Sequence, residues 1–97
     1  MSIYRIGETQ AKPEAVEELR EFLLSIMPGI KSSPGCESVQ LYQSPDDRTK
    51  FMMIEVWRSK ESHQASVQEI PAELIAKIRP LLASAPSGAY FDMVRQD

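Results

Sequence analysis

Histidine, cysteine and tryptophan each occur once in these 97 residues, at His63, Cys36 and Trp57. One histidine and one cysteine among dispersed carboxylates do not make a conventional transition-metal site. A single cysteine forms no internal disulfide, and Cys36 has no neighbouring His or Lys in sequence to activate a thiolate. Glycine is also scarce. The four present are not spaced as a phosphate-binding loop, so no flavin or nicotinamide held by such a motif is expected, and no cofactor is assigned. No apolar run approaches the ~18 residues of a membrane span. No basic block or aromatic–basic interleaving appears, and acidic and basic residues are interspersed to a net charge of −3, so nucleic acid is not an expected partner. The opening residues MSIYRIGETQ lack the basic segment and long apolar core of an export signal, which points to a cytoplasmic protein.

What remains is 42% hydrophobic and 26% charged, the balance of one soluble globular domain over residues 1–97. The stretch Phe51–Trp57, FMMIEVW, has high strand propensity and a single charge. Alternate side chains point to opposite faces. Met52, Ile54 and Val56 share one face, and Phe51, Met53, Glu55 and Trp57 the other. Both faces are apolar, so both need cover.

Around it, residues 2–9 read as a strand. Pro13 opens a helix whose stripe is Val16, Leu19, Phe22, Leu23, Ile26 and Met27, with a stop at Pro28-Gly29. A turn at residues 32–35 precedes a strand over 36–44, and a connection at 45–48 makes a hairpin with 51–57. Ser59 is a candidate N-cap for a short helix, and Pro71 breaks it and starts another. Leu74, Ile75, Ile78, Leu81 and Leu82 form the second helical stripe, with Pro80 ending or kinking it. The last strand is expected over 89–94.

This β-α-β-β-α-β order is the ferredoxin-like α+β arrangement with a four-stranded antiparallel sheet. Two helices cover one face of such a sheet. The expectation is that Met52, Ile54 and Val56 meet them, leaving Phe51, Met53 and Trp57 on an open face. A two-fold homodimer would cover that face.

Pro34-Gly35-Cys36, the Leu41-Tyr42 strand, Asp46-Asp47, Ile54-Glu55-Val56-Trp57 and Ser59-Lys60-Glu61 together resemble the antibiotic biosynthesis monooxygenase family. The similarity runs over about residues 2–94. It implies a dimeric α/β barrel with a pocket in each subunit between sheet and helices. Some members are cofactor-independent oxygenases of phenolic, quinol or anthrone-type substrates, and others degrade haem. The chain departs from the pattern in three places. Ser66 stands where members often carry a His and haem-degrading members a Trp, and Ala76 where the latter have a His. Met53 stands where polycyclic-oxidising members have an Asn. Haem degradation is thereby disfavoured.

Several residues could carry chemistry. Glu55 is the lone charge in an apolar strand, and burial would raise its pKa toward that of a general base. It could equally be ion-paired with Arg5 or Arg58. Trp57 could stack on an aromatic substrate or anchor the core or dimer interface. His63 could deprotonate a phenol or enol, or be structural; Ser66 and Ile70 share its helical face. Tyr4, Tyr42 and Tyr90 could donate to a ligand oxygen or simply pack. Met53 and Phe91 would line an adaptable apolar pocket. The expected activity is therefore cofactor-independent oxidation by O2 of a small electron-rich aromatic, with Glu55 or His63 as base and Trp57, Met53, Tyr42, Phe91 and Ser66 binding it. The alternatives are a non-catalytic barrel that binds a small apolar ligand or has a stress-related role, and proton-transfer chemistry without oxygen insertion.

Overall fold

A computed structural model describes residues 1–97. The elements are β1 (Ile3–Gln10), a 3-10 turn at Pro13–Ala15, α1 (Val16–Lys31), β2 (Cys36–Gln43), β3 (Lys50–Trp57), α2 (Lys60–Gln68), α3 (Ala72–Ile78), a 3-10 turn at Arg79–Leu81 and β4 (Ser87–Phe91). The strands form one sheet in the order β2-β3-β1-β4, antiparallel throughout. This is the ferredoxin-like βαββαβ fold expected from the sequence. No helix is long and apolar enough to cross a membrane.

The helices pack on the face expected to be open. Leu19 and Leu23 of α1 bury against Phe51 and Ala11, with Leu41, Met53, Ile78, Leu81 and Leu82 around them. Trp57 is 1% exposed on the same face. Each such side chain contributes roughly 1.5–3 kcal/mol by leaving water. Met52, Ile54 and Val56 are the residues turned to the open face, beside Tyr4 and Ile6 of β1 and Phe91 of β4. The face expectation was inverted because a strand apolar on both sides fixes the parity of its residues but not their direction. The largest rings, Phe51 and Trp57, gain most from helix cover and take that side.

Strands β1 and β3 differ from expectation by one residue at their ends, and three further boundaries differ as well. Pro28 does not stop α1, which runs on to Lys31. The amide that proline lacks would have served the carbonyl of Leu24, a residue 41% exposed, where water can substitute. Hydroxyls of Ser32 and Ser33 both donate to the Gly29 carbonyl, closing the extra turn. Strand β4 covers Ser87–Phe91 rather than 89–94, because its pairing with β1 runs from Ser87 opposite Glu8 to Phe91 opposite Tyr4. Residue 44 lies outside β2, which ends at Gln43. Pro71 and Pro80 act as expected: α3 begins after the first and gives way to a 3-10 turn at the second.

Candidate active site

Four residues directly opposite one another make a row across the helix-covered face: Val39 on β2, Glu55 on β3, Arg5 on β1 and Tyr90 on β4. Trp57 sits two residues beyond Glu55 on the same face, and its Nε1–H donates to Glu55 Oε1 at 2.8 Å. Above the row lies α2. Ser59, in an extended conformation, accepts from the Ser62 amide at 3.1 Å and starts that helix two residues after the strand ends. One turn later His63 points down at the sheet. Its ring meets Trp57 edge-on at 5.4 Å and Tyr90 edge-on at 5.4 Å. Tyr90 Oη lies 2.6 Å from His63 Nδ1. The other nitrogen, Nε2, is 3.9 Å from Glu55 Oε1.

The pairing of Glu55 with Arg5 does not form as an ion pair. Arg5 instead carries its guanidinium over the Tyr90 ring, 4.8 Å from the centroid. Gly88 makes this possible, since a Cβ there would lie 2.5 Å from an Arg5 guanidinium nitrogen. Burial accordingly raises the pKa of Glu55 above the ordinary glutamate value, opposed by the Trp57 hydrogen bond and the Arg5 charge. Burial also lowers the pKa of His63, and Arg5 lowers it further. With the imidazole neutral, the 3.9 Å approach to Glu55 is a contact and not an ion pair. Cys36 stays off this cluster, its thiol pushed up by burial and by Glu55.

Glu55, Trp57, His63 and Ser66 all face one cavity of about 580 Å³ between the sheet and the helices. That is within the size range of small-molecule pockets. Its walls are apolar: Phe22, Ile26 and Ile30 from α1, Val67 and Ile70 at the end of α2, and Leu74, Ile75 and Ile78 from α3. Ser66 Oγ donates to the His63 carbonyl at 2.7 Å, leaving its lone pairs free. The cavity is thus largely apolar, with Glu55, His63 and Ser66 grouped where β3 meets α2 and Ser25, Ser33 and Glu69 as its other polar lining residues.

The other expected binding residues lie elsewhere. Phe91 is on the open face, 50% exposed, on the far side of the sheet from the cavity. Met53 is on the helix side but packs into the core beside Phe51. Tyr42 shares the open face, its hydroxyl donating to Gln40 Oε1, and borders a separate cleft of about 230 Å³ near Arg20 and Leu24. Alternation explains Phe91 and Tyr42, since Phe91 is out of phase with the helix-side Tyr90 and Tyr42 is out of phase with Leu41. Sequence reasoning offered Arg5 as an ion-pair partner of Glu55 and Tyr90 as a donor to a ligand oxygen or a packing residue, and did not link either to His63. The register of β1 with β3 sets Arg5 opposite Glu55, and that of β1 with β4 sets Tyr90 beside Arg5 and within reach of His63.

The sequence profile of the antibiotic biosynthesis monooxygenase family matches residues 2–71. The chain belongs to that family. Among solved structures, a Chloroflexus aurantiacus protein named for the antibiotic biosynthesis monooxygenases is 32% identical over all of this chain and 97% of that one, with TM-score 0.79. A Nitrosomonas europaea protein with the same family name superposes at TM-score 0.88, with 17% identity over 96% of this chain and 90% of that one. SnoaB of Streptomyces nogalater, a cofactor-independent oxygenase, superposes at 0.83 with 13% identity, covering 98% and 95%. The last two show the shared fold. No curated protein matches the sequence.

Proposed function

We propose that this family member is a monooxygenase of a small electron-rich hydroxyarene, working without a cofactor and with Glu55 as the base. The carrying observation is the convergence of a buried carboxylate, a neutral imidazole and a tryptophan on the polar end of one apolar cavity. The carboxylate takes the acidic proton of the substrate. Burial makes Glu55 a stronger base than an exposed glutamate, which suits proton transfer near neutral pH. The substrate anion then gives an electron to O2. The resulting superoxide and aryloxyl radical combine at a ring carbon that bears a hydrogen, the peroxide takes back the proton held by Glu55, and loss of water with that ring hydrogen leaves a carbonyl. One oxygen atom stays in the product and the other departs as water.

His63 holds the anion rather than taking the proton. With Tyr90 O–H as the donor in its 2.6 Å contact to Nδ1, the imidazole proton stands on Nε2, the nitrogen turned toward Glu55. An N–H fixed at that spot is placed to stabilise developing oxyanion charge. Trp57 and the α1 and α3 side chains give the substrate ring an apolar wall. The cofactor-independent oxygenase with the same fold supports the reading.

The same reading makes the protein a two-fold homodimer. Only seven of the 97 residues are buried in the single chain, and Tyr4, Ile6, Met52, Ile54, Val56 and Phe91 together leave one sheet face uncovered. An apolar face of that extent calls for a partner, and an identical copy is the economical one.

The test is oxygen uptake on a panel of quinols, naphthols and anthrones, with chelator present and product mass recorded. Uptake with a product bearing one added oxygen supports the proposal. A bound ligand that is never oxidised favours the non-catalytic barrel, and a changed product without added oxygen favours proton transfer alone.

A further inference from the structure

We infer that the cavity is net negative, with the charge that meets the ligand on Glu55 and that of Glu69 exposed to solvent, and so admits uncharged ligands while rejecting those that arrive as anions. This deepens the proposed function, because it takes Glu55 to be the carboxylate that meets the ligand. Glu55 and Glu69 are the acidic side chains in the lining, and no lysine or arginine is among its residues. His63, the other titratable group there, is neutral at pH 7 because burial and Arg5 oppose its charge. Arg5 is the nearest cation, and it is turned away over Gly88 and the Tyr90 ring.

The backbone adds to the same sign. The last turn of α1 contributes Gly29 and Ile30, and the last turn of α2 contributes Ser66 and Val67. Helix C-terminal ends carry a partial charge of roughly −0.5 each. The N-terminal end of α3 lies on the rim at Pro71, but this helix has seven residues and offsets only part of that field.

Proton transfer from a neutral hydroxyarene to Glu55 leaves the total charge of the site unchanged. One negative charge sits on the carboxylate before transfer and on the ligand after it. A ligand that carries its own carboxylate, sulfonate or phosphate brings a second negative charge into the same desolvated space. Arg5, held over the Tyr90 ring, and the exposed Lys31 at the end of α1 offset the repulsion only in part, since neither lines the cavity. The cavity therefore selects neutral lipophilic weak acids over their anionic analogues.

Trp57 is the only tryptophan, so its indole N–H gives a single resonance that reports on this cavity. Two matched pairs are titrated under nitrogen: 2-naphthol against 6-hydroxy-2-naphthoate, and 4-ethylphenol against 4-hydroxyphenylacetate. A neutral ligand is expected to shift the resonance to saturation. Its anionic partner should need at least about tenfold more ligand, a gap of ~1.4 kcal/mol. Glu55→Gln keeps an acceptor for Trp57 and removes the charge, so the anion should gain and the gap should close. Equal affinity within a pair, or a resonance that neither neutral ligand moves, overturns the inference. So does a gap that survives Glu55→Gln. The wild-type comparison stands alone if that variant does not fold. Because oxygen is excluded, a protein that shows the gap and never oxidises a substrate retains the inference and loses only the oxygenase reading.

Discussion

The Tyr90 hydroxyl sits 2.6 Å from Nδ1 of His63 and ties β4 to α2 over the centre of the sheet. The two residues are 27 apart in sequence, and this one contact decides which imidazole nitrogen faces Glu55. In our reading Tyr90 is a positioning residue: it acts on the site by holding a tautomer. A long-range 1H–15N spectrum of the single histidine should show the proton on Nε2. Tyr90→Phe should shift the imidazole toward a mixture of tautomers while Trp57 stays in place. A wild-type spectrum with the proton on Nδ1 would remove His63 as a donor to the substrate anion.

His63 should titrate below the ordinary histidine value of about 6.5. Burial is the main cause and Arg5 the second. Arg5→Gln should therefore move the pKa up, though not fully to the ordinary value. The sign for stability follows from the folded value being depressed. Neutral His63 contributes fully above the unfolded pKa, and that contribution is lost as pH falls from about 6.5 toward the folded pKa. Glu55 works in the opposite direction. Its folded pKa is raised, so its protonated form favours the fold below the unfolded pKa of about 4.3, and that gain is lost as pH rises through the folded value. Denaturant melts across this range, with the histidine shift followed in parallel, check both. A His63 pKa at or above 6.5 would contradict the account.

The open sheet face should make the protein a dimer at micromolar concentration. Ile54 is central on that face, opposite Ile6 on β1 and Gln40 on β2. Ile54→Lys places an unpaired charge where two sheets meet, a cost of several kcal/mol. Sedimentation should show that variant as a folded monomer. A wild-type chain that sediments as a stable monomer would sink the dimer.

Ser59 holds the start of α2 and, through it, His63. Ser59→Ala removes the hydrogen bond to the Ser62 amide at a cost of ~1 kcal/mol. For a domain of this size the melting temperature should fall by roughly 4–8 °C. A thermal melt indistinguishable from wild type would show that the cap is not what fixes the helix.

Much of this site was legible because it is local. Glu55 and Trp57 lie two apart on one strand, Ser59 is a recognisable cap, and His63 follows one turn later. Strand period, cap chemistry and helix period each bring these residues together without long-range information. The direction of the face was not legible, since Met52, Ile54 and Val56 are as apolar as the side bearing Phe51, Met53 and Trp57. Phe91 and Tyr42 lie away from the cavity for that reason, each one residue out of phase with a helix-side neighbour, Tyr90 and Leu41. Nothing local tied Tyr90 and Arg5 to His63 or to each other. Their roles depend on strand register and on the lack of a side chain at Gly88.

The most direct measurement compares oxygen uptake by wild type and Glu55→Gln on the best neutral hydroxyarene, with chelator present. The account predicts metal-independent uptake by wild type and a fall in rate of about 10²-fold or more in the variant, the usual worth of a positioned base. Uptake by Glu55→Gln at the wild-type rate would contradict it.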